Sequence, residues 1–416
     1  GYDNETHVIA KLIAPERPSK RGKRKNLNLS IIIDRSGSMA GHPLEEAKRC
    51  AITMVEGLEK DDRVSIVQYD SRAQLLIPST LVARKYEIQS AIKQIDSGGA
   101  TDLFGGWSIG AREVSRHIND KSVNRVLLLS DGNANNGLTD SQAIQRECER
   151  AADNGVSTST YGLGHDFNEN LMMSMAKFGR GQGYYGQTAD DLEDPYREEF
   201  ELLKNTVATN LEIFIEYPDF VKAELLNSYV GQDPEWKMPD LAYEGEAWAL
   251  FKLNIDKEKL ANCKKAEIFK GHISYTDLSG KRKKTETKSI RLEPINQNAF
   301  GALVEYEEIK SRILEVRAAV LQRRAREAAY RYDWVEVDAC LAQARHEAGD
   351  NAWVQSSLNS LQNYADRREQ QSFAKEAFYA SDKLSSRLKG SEFSEIRDIY
   401  SEDEESNKMA YLRRKI

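Results

Sequence analysis

No stretch of this chain is apolar for long enough to span a bilayer, so the sequence carries no membrane-spanning helix. The segment Gly1–Glu16 lacks the basic-then-apolar shape of a secretory leader. Both absences set the expectation of a soluble, cytoplasmic chain. The four cysteines, Cys50, Cys148, Cys263 and Cys340, include no C-x-x-C pair, which argues against a disulfide framework and a zinc site. Cys50 and Cys148 fall on apolar faces of predicted helices and read as buried free thiols. The six histidines show no metal-ligand spacing. No G-x-x-x-x-G-K-[ST] loop is present, which sets aside a nucleotide hydrolase. Positive charge is in deficit as well: the net charge of −7 argues against broad, non-specific nucleic-acid binding. What remains is an ordinary balance of 40% hydrophobic and 30% charged residues over 416 positions, enough for two or three domains.

Hydrophobic periodicity divides the chain. Residues 7–14 read as a strand and 15–26 as a polar, basic loop. From Leu27 to Lys204, strands alternate with helices. Leu27–Asp34 and Arg125–Ser130 are apolar enough to be buried on both faces. Leu44, Ala47, Ala51, Met54, Val55 and Leu58 recur at helical spacing behind Pro43, a first-turn proline. Thr139 with Gln142 makes a capping-box signature for a helix that stops near Gly155. This alternation implies parallel crossovers and a sheet covered on both faces. After Asn205 the texture changes to strands at 207–217, 221–229, 246–255, 266–275 and 285–292, with no helix pattern between them. Strand 7–14 has no place in the first sheet and is assigned to this second, antiparallel one. From Leu303 onward the pattern is helical, with stripes beginning at Ile309-Ile313-Val316-Val320 and Trp334-Val337-Leu341. The fold expected is therefore α/β: a doubly wound, mostly parallel, Rossmann-like sheet over 27–204. It is inserted in a split antiparallel β-sandwich (1–20 and 205–295) and followed by a helical hairpin region (299–390) and a charged tail (391–416).

The chemistry concentrates in Ile33-Asp34-Arg35-Ser36-Gly37-Ser38-Met39. A buried strand delivers Asp34 at its carboxyl end, where open α/β sheets bind ligands. Ser36 and Ser38 follow on a tight loop. Thr101 stands just before a helix, in Gly98-Gly99-Ala100-Thr101-Asp102, and Asp131 follows another buried strand. Two carboxylates and three hydroxyls suit a hard cation with oxygen ligands. A bare Asp-x-Ser-x-Ser arises by chance in about one chain in ten; with the strand, Thr101 and Asp131 in place, chance is a poor account.

These residues resemble the metal-ion-dependent adhesion site (MIDAS) of von Willebrand factor A-type (VWA) domains, Asp-x-Ser-x-Ser with a distant Thr and Asp. The match is complete at Asp34, Ser36, Ser38, Thr101 and Asp131. The resemblance covers about residues 27–204. The downstream architecture more loosely resembles bacterial VWA proteins related to the calcium-activated chloride channel family. The resemblance implies a cation with an open position for an acidic side chain of a protein partner, with one carboxylate acting through water. Mg²⁺ is the expected ion, because it needs few protein ligands and keeps waters; Mn²⁺ and Ca²⁺ are the alternatives. The expected function is a metal-dependent binding adaptor or scaffold, not an enzyme. The resemblance suggests a multi-protein system, such as one with a MoxR-type AAA+ ATPase. The alternative is a nucleic-acid-associated VWA protein of the Ro-like or Ku-like kind, for which the basic runs Arg17–Lys25 and Lys281–Lys284 would have to converge.

Two catalytic motifs fail on context. Gly106-Trp107-Ser108-Ile109-Gly110 matches the G-x-S-x-G nucleophile elbow, but it opens a helix after a glycine-rich loop and no apolar strand precedes it. Asp34 at a strand end is similar to the nucleophile of haloacid-dehalogenase-type phosphatases. Those place an acid two residues on, where this chain has Ser36, which cannot act as acid or base.

Overall fold

In the computed structural model, residues 5–18, 24–131, 134–164, 167–261, 266–292, 303–304 and 306–386 are described. They fall into two compact units. Among the described residues, one takes in Glu5–Pro15, Asn210–Tyr275 and Arg282–Ser386; the other comprises Glu16–Thr209 with Thr276–Lys281. No helix among the described residues is long and apolar enough to cross a membrane.

The chain opens with β1 (Glu5–Ile13) and then enters the α/β unit through β2 (Asn26–Asp34). There follow α1 (His42–Gly57), β3 (Arg63–Tyr69), β4 (Ala73–Leu81), α2 (Lys85–Lys93), α3 (Leu103–Ser115) and β5 (Ser122–Ser130). The unit continues with α4 (Ser141–Asp153), β6 (Ser157–Leu163), α5 (Glu169–Phe178), β7 (Arg180–Gly186) and α6 (Glu193–Asn205). Its six-stranded sheet runs β4-β3-β2-β5-β6-β7. Every pairing is parallel except β3 with β4. Strand order reverses about β2, which has β3 on one side and β5 on the other. The carboxyl ends of β2 and β5 therefore flank a topological switch point, the usual place for a ligand in such sheets.

The sequence places these layers. Leu27, Leu29, Ile31 and Ile33 of β2 point to one face and pack with Leu44, Ala47, Met54 and Val55 of α1 and Phe200 and Leu203 of α6. On the opposite face α3 comes very close to the sheet at Gly106 and Gly110. An added Cβ would lie 2.7 Å from the Tyr69 ring at Gly106 and 2.5 Å from Ile32 at Gly110. The two glycines of the G-x-S-x-G match thus serve helix–sheet packing, and Ser108 is exposed on the helix. The helix at 141–153 is capped by Asp140, whose carboxylate accepts from the Ala143 amide at 2.7 Å. This corrects the Thr139 capping box by one position: the competing carboxylate next in sequence takes the cap. The edge strand β4 carries no sequence signal, because Pro78 interrupts its alternation; an edge strand accommodates such a proline.

In the other unit the strands are β8 (Thr206–Glu216), β9 (Val221–Leu225), β10 (Val230–Gln232), β11 (Glu235–Met238), β12 (Leu241–Ala242), β13 (Glu246–Ile255), β14 (Ala266–Thr276), β15 (Arg282–Lys284) and β16 (Lys288–Leu292). A short helix, α7 (Lys257–Ala261), lies between β13 and β14, contrary to the expectation of strands alone. Here β1 pairs antiparallel with β13 along its whole length, Glu5 opposite Asn254 through Ile13 opposite Glu246. β1 thus joins the second sheet system, and the α/β unit is inserted between β1 and the remaining strands. One sheet runs β1-β13-β9; the other runs β10-β11-β8-β14-β15, with β12 on β8 and β16 on β14. Trp236, Phe251 and Phe269 meet ring to ring between them, at 5.6 and 5.3 Å.

β13 is apolar at successive positions because both its faces are covered. Phe251 faces the larger sheet; Trp248 and Leu250 pack with Val316, Ile309 and Ile313 of α8 (Glu307–Tyr330). The Arg312 guanidinium lies 4.7 Å from the Trp248 ring and is held by Glu246 and Glu315. Helices α9 (Trp334–Ala348), α10 (Ala352–Asp366) and α11 (Gln370–Ser386) complete the helical core with α8. Val320, assigned to the first apolar stripe, is 55% exposed; the buried face runs instead through Ala318, Ala319, Leu321 and Ala325. Cys50, Cys148 and Cys340 are buried free thiols. Burial pushes the Cys50 thiol up to about 12, which keeps it protonated and inert. Cys263, His165 and the charged tail lie outside the described residues.

Candidate metal centre

Asp34 ends β2 with no exposed surface. One carboxylate oxygen accepts the Ser36 amide at 2.9 Å, and this local bond folds the chain back immediately after the strand. The other accepts the Ser130 hydroxyl at 2.9 Å, from the last residue of the neighbouring β5. Ser36 begins a single 3₁₀ turn, Gly37–Met39, whose last residue is fully buried and fastens the loop to the core. Ser36 and Ser38 hydroxyl oxygens stand 3.3 Å apart. Ser38 in turn donates to Asp131 at 2.9 Å. A chain of oxygen atoms therefore runs from the buried Ser36, whose amide is held by the buried Asp34, through the exposed Ser38 to the half-buried Asp131.

Thr101 is buried and belongs to the loop ahead of α3. That loop and the serine loop bind each other reciprocally: the Gly37 amide donates to the Gly99 carbonyl at 3.0 Å, and the Gly98 amide to the Arg35 carbonyl at 2.6 Å. Arg35 adds a brace, pairing with Asp70 at 2.5 Å and donating to the Asp96 carbonyl at 2.9 Å. The Asp70 carbonyl accepts the Asp102 amide at 2.7 Å. All five residues singled out by sequence thus sit on three loops at the carboxyl edge of the sheet. Four are linked by their own polar groups, and Thr101 is brought in by its loop. The brace Arg35–Asp70 was not legible beforehand, because it joins loop positions distant in sequence and uses backbone carbonyls.

The donor set fits a hard divalent cation. The Asp34 carboxylate is buried among neutral groups: the Ser36 amide and the Ser130 hydroxyl donate to it, and Tyr69, whose hydroxyl donates to the Leu129 carbonyl, lies beside it. No Lys or Arg pairs with it among the described residues. Burial raises its proton affinity, opposed by those hydrogen bonds. A buried carboxylate without a countercharge is costly, and a cation held in common with Asp131 would supply that countercharge. Two carboxylates balance a divalent ion, and the serine and threonine hydroxyls add oxygen ligands without charge.

One other group of metal-type side chains lies on the described surface: His42, Glu46 and Asp190, with ligand atoms within 4.8 Å of one another. Glu46 is already bonded by Arg49 at 2.6 Å, and His42 by Asp190 at 3.0 Å. These contacts satisfy the group without a cation.

Comparison with known proteins agrees with this fold. Residues 28–198 match the family model of the von Willebrand factor type A domain. An uncharacterised protein of Synechocystis sp. is 29% identical over 194 residues, 47% of this chain and 46% of its own length. The chain spans less than half the length of the curated relatives first matched. Among solved structures, a von Willebrand factor type A protein from Catenulispora acidiphila superposes with a TM-score of 0.69 at 14% identity, covering 86% of each chain. The ArnB paralog VWA2 of Sulfolobus acidocaldarius gives 0.61 at 16% identity, over 92% of this chain and 99% of its own. At such identities the likeness is one of fold, and it extends across both units. The chain carries a von Willebrand factor type A domain, formed by residues 28–198.

Proposed function

We propose that this chain is a metal-dependent protein-binding module. Asp34, Ser36, Ser38, Thr101 and Asp131 hold Mg²⁺, with Mn²⁺ or Ca²⁺ as alternatives, and the cation receives an Asp or Glu side chain of a partner protein. The observation that carries this reading is the buried Asp34 carboxylate, which has only neutral donors around it and a chain of hydroxyls leading to solvent. Uncharged hydroxyls leave the cation short of electron density, so it favours a further anionic oxygen on its open side. VWA domains commonly bind proteins in this way, and the reading extends that property to this chain. The partner belongs to a multi-protein system; a MoxR-type AAA+ ATPase is the class suggested by the resemblance.

A binding role is preferred to catalysis because no activated nucleophile accompanies the site among the described residues. Ser108 lies exposed on α3, and position 36, two residues after Asp34, is a hydroxyl and not a carboxyl. The experiment is a pull-down from lysate with wild type and Thr101→Ala, in Mg²⁺ and in EDTA. A partner recovered only by wild type in Mg²⁺ is the expected result. Recovery that is equal in all four conditions would place binding on another surface. Recovery of nucleic acid with steep salt dependence would favour the nucleic-acid-associated alternative.

A further inference from the structure

We infer that Asn135 is a positioning residue for Thr101, so that the metal centre extends beyond its five ligands into residues 134–137. This rests on the metal reading above. Thr101 lies in a loop that is neither helix nor strand, so no regular ladder fixes its backbone. Its polar backbone groups are instead taken up by one short segment. The Thr101 amide donates to the Asn135 side-chain oxygen at 2.9 Å. The Thr101 carbonyl accepts the amides of Asn135 at 3.2 Å and Asn136 at 3.3 Å. Because the partner is an N–H group, the atom facing it must be the side-chain oxygen, which fixes the orientation of the Asn135 amide.

The grip is two-sided. The Asn136 side chain donates to the Ser71 carbonyl at 2.6 Å, and the Ser71 hydroxyl accepts the amide of Ala100, next to Thr101, at 2.8 Å. Gly137 lets the segment come this close: its φ is +69°, and an added Cβ would lie 2.3 Å from an Asp102 carboxylate oxygen. Asn135 follows Asp131 by four residues. The connection that carries one proposed ligand therefore also orients another. Asn135 itself is exposed, and its oxygen is engaged with Thr101, so it acts through Thr101 and not as a ligand.

Removing the Asn135 side chain strands a buried amide and frees the loop to turn the Thr101 hydroxyl away. Partners that orient metal ligands in this manner change metal affinity by about 10- to 100-fold when lost. The test is Mn²⁺ titration by calorimetry of the full chain as wild type, Asn135→Ala, Asn135→Asp and Asp34→Ala, with amide exchange at Thr101 followed in metal-free protein. Expected are a loss of about 10-fold or more in Asn135→Ala, near-wild-type affinity in Asn135→Asp, which keeps an acceptor oxygen in place, and no site in Asp34→Ala. The Thr101 amide should exchange faster in Asn135→Ala than in wild type or Asn135→Asp. Equal Mn²⁺ affinity of Asn135→Ala and wild type, with binding lost in Asp34→Ala, would overturn the positioning role and leave the metal site standing. Undiminished binding by Asp34→Ala would instead overturn the metal reading, and the inference with it.

Discussion

At the scale of single residues, the buried Asp34 sets the behaviour of the site. Its carboxylate has neutral neighbours, and burial disfavours its charge. Asp34→Asn removes that charge and keeps an oxygen to accept the Ser36 amide. The metal-free variant should melt no lower than metal-free wild type. Wild type should gain about 2.7 kcal/mol at a metal concentration 100 times Kd, and the variant nothing. Thermal melts in EDTA and in Mg²⁺ check both statements; a metal-free variant several degrees less stable would mean that Asp34 has a countercharge after all. The five proposed ligands could be read from the sequence because hard-cation chemistry restricts them to a few residue types at set spacings. Asn135, Ser71 and the Arg35–Asp70 brace could not. Their partners are mostly backbone groups of residues distant in sequence, and such bonds leave no pattern.

Secondary-structure elements were legible in proportion to how strongly burial dictates them. β13 was read at its observed limits, Glu246–Ile255, because covering both faces forces a continuous apolar run. β4, the short β10, β11 and β12, and β15, whose residues read as a basic loop, were missed, since exposed or interrupted strands carry little alternation. The buried cluster of Arg125 with Glu199, Ser159 and Tyr184, which ties α6 to the sheet, left no signal either. α3 gives a sharp test at this scale. Gly106→Ala forces a Cβ against the Tyr69 ring and should cost about 1–3 kcal/mol. Ser108→Ala, two residues on and exposed on the other side of the helix, should stay within about 0.5 kcal/mol. Denaturant unfolding of the two variants measures this. Equal effects would mean that the glycines are not there for packing.

Over the whole molecule, the unusual feature is that the first strand belongs to a sheet system whose other strands follow the α/β unit. A sequence reading could reach this because 7–14 is strand-like and unneeded by the parallel sheet. It could not give the register, which depends on side chains at the β1–β13 contact. Deleting residues 1–13 would leave β13 an unpaired edge and remove Val8 and Ile9 from the core. Hydrogen exchange should then rise across β13 and β9 and stay unchanged in β2, β5 and β6. Unchanged exchange in β13 would show that β1 contributes nothing to that sheet.

The most direct test of the central claim is an anomalous difference map from crystals soaked in Mn²⁺. The account predicts one strong peak bonded to the Ser36 and Ser38 hydroxyls, at about 2.0–2.3 Å, with Asp34, Thr101 and Asp131 around it. A map with no peak there, or with its peak at His42, Glu46 and Asp190 instead, would contradict it.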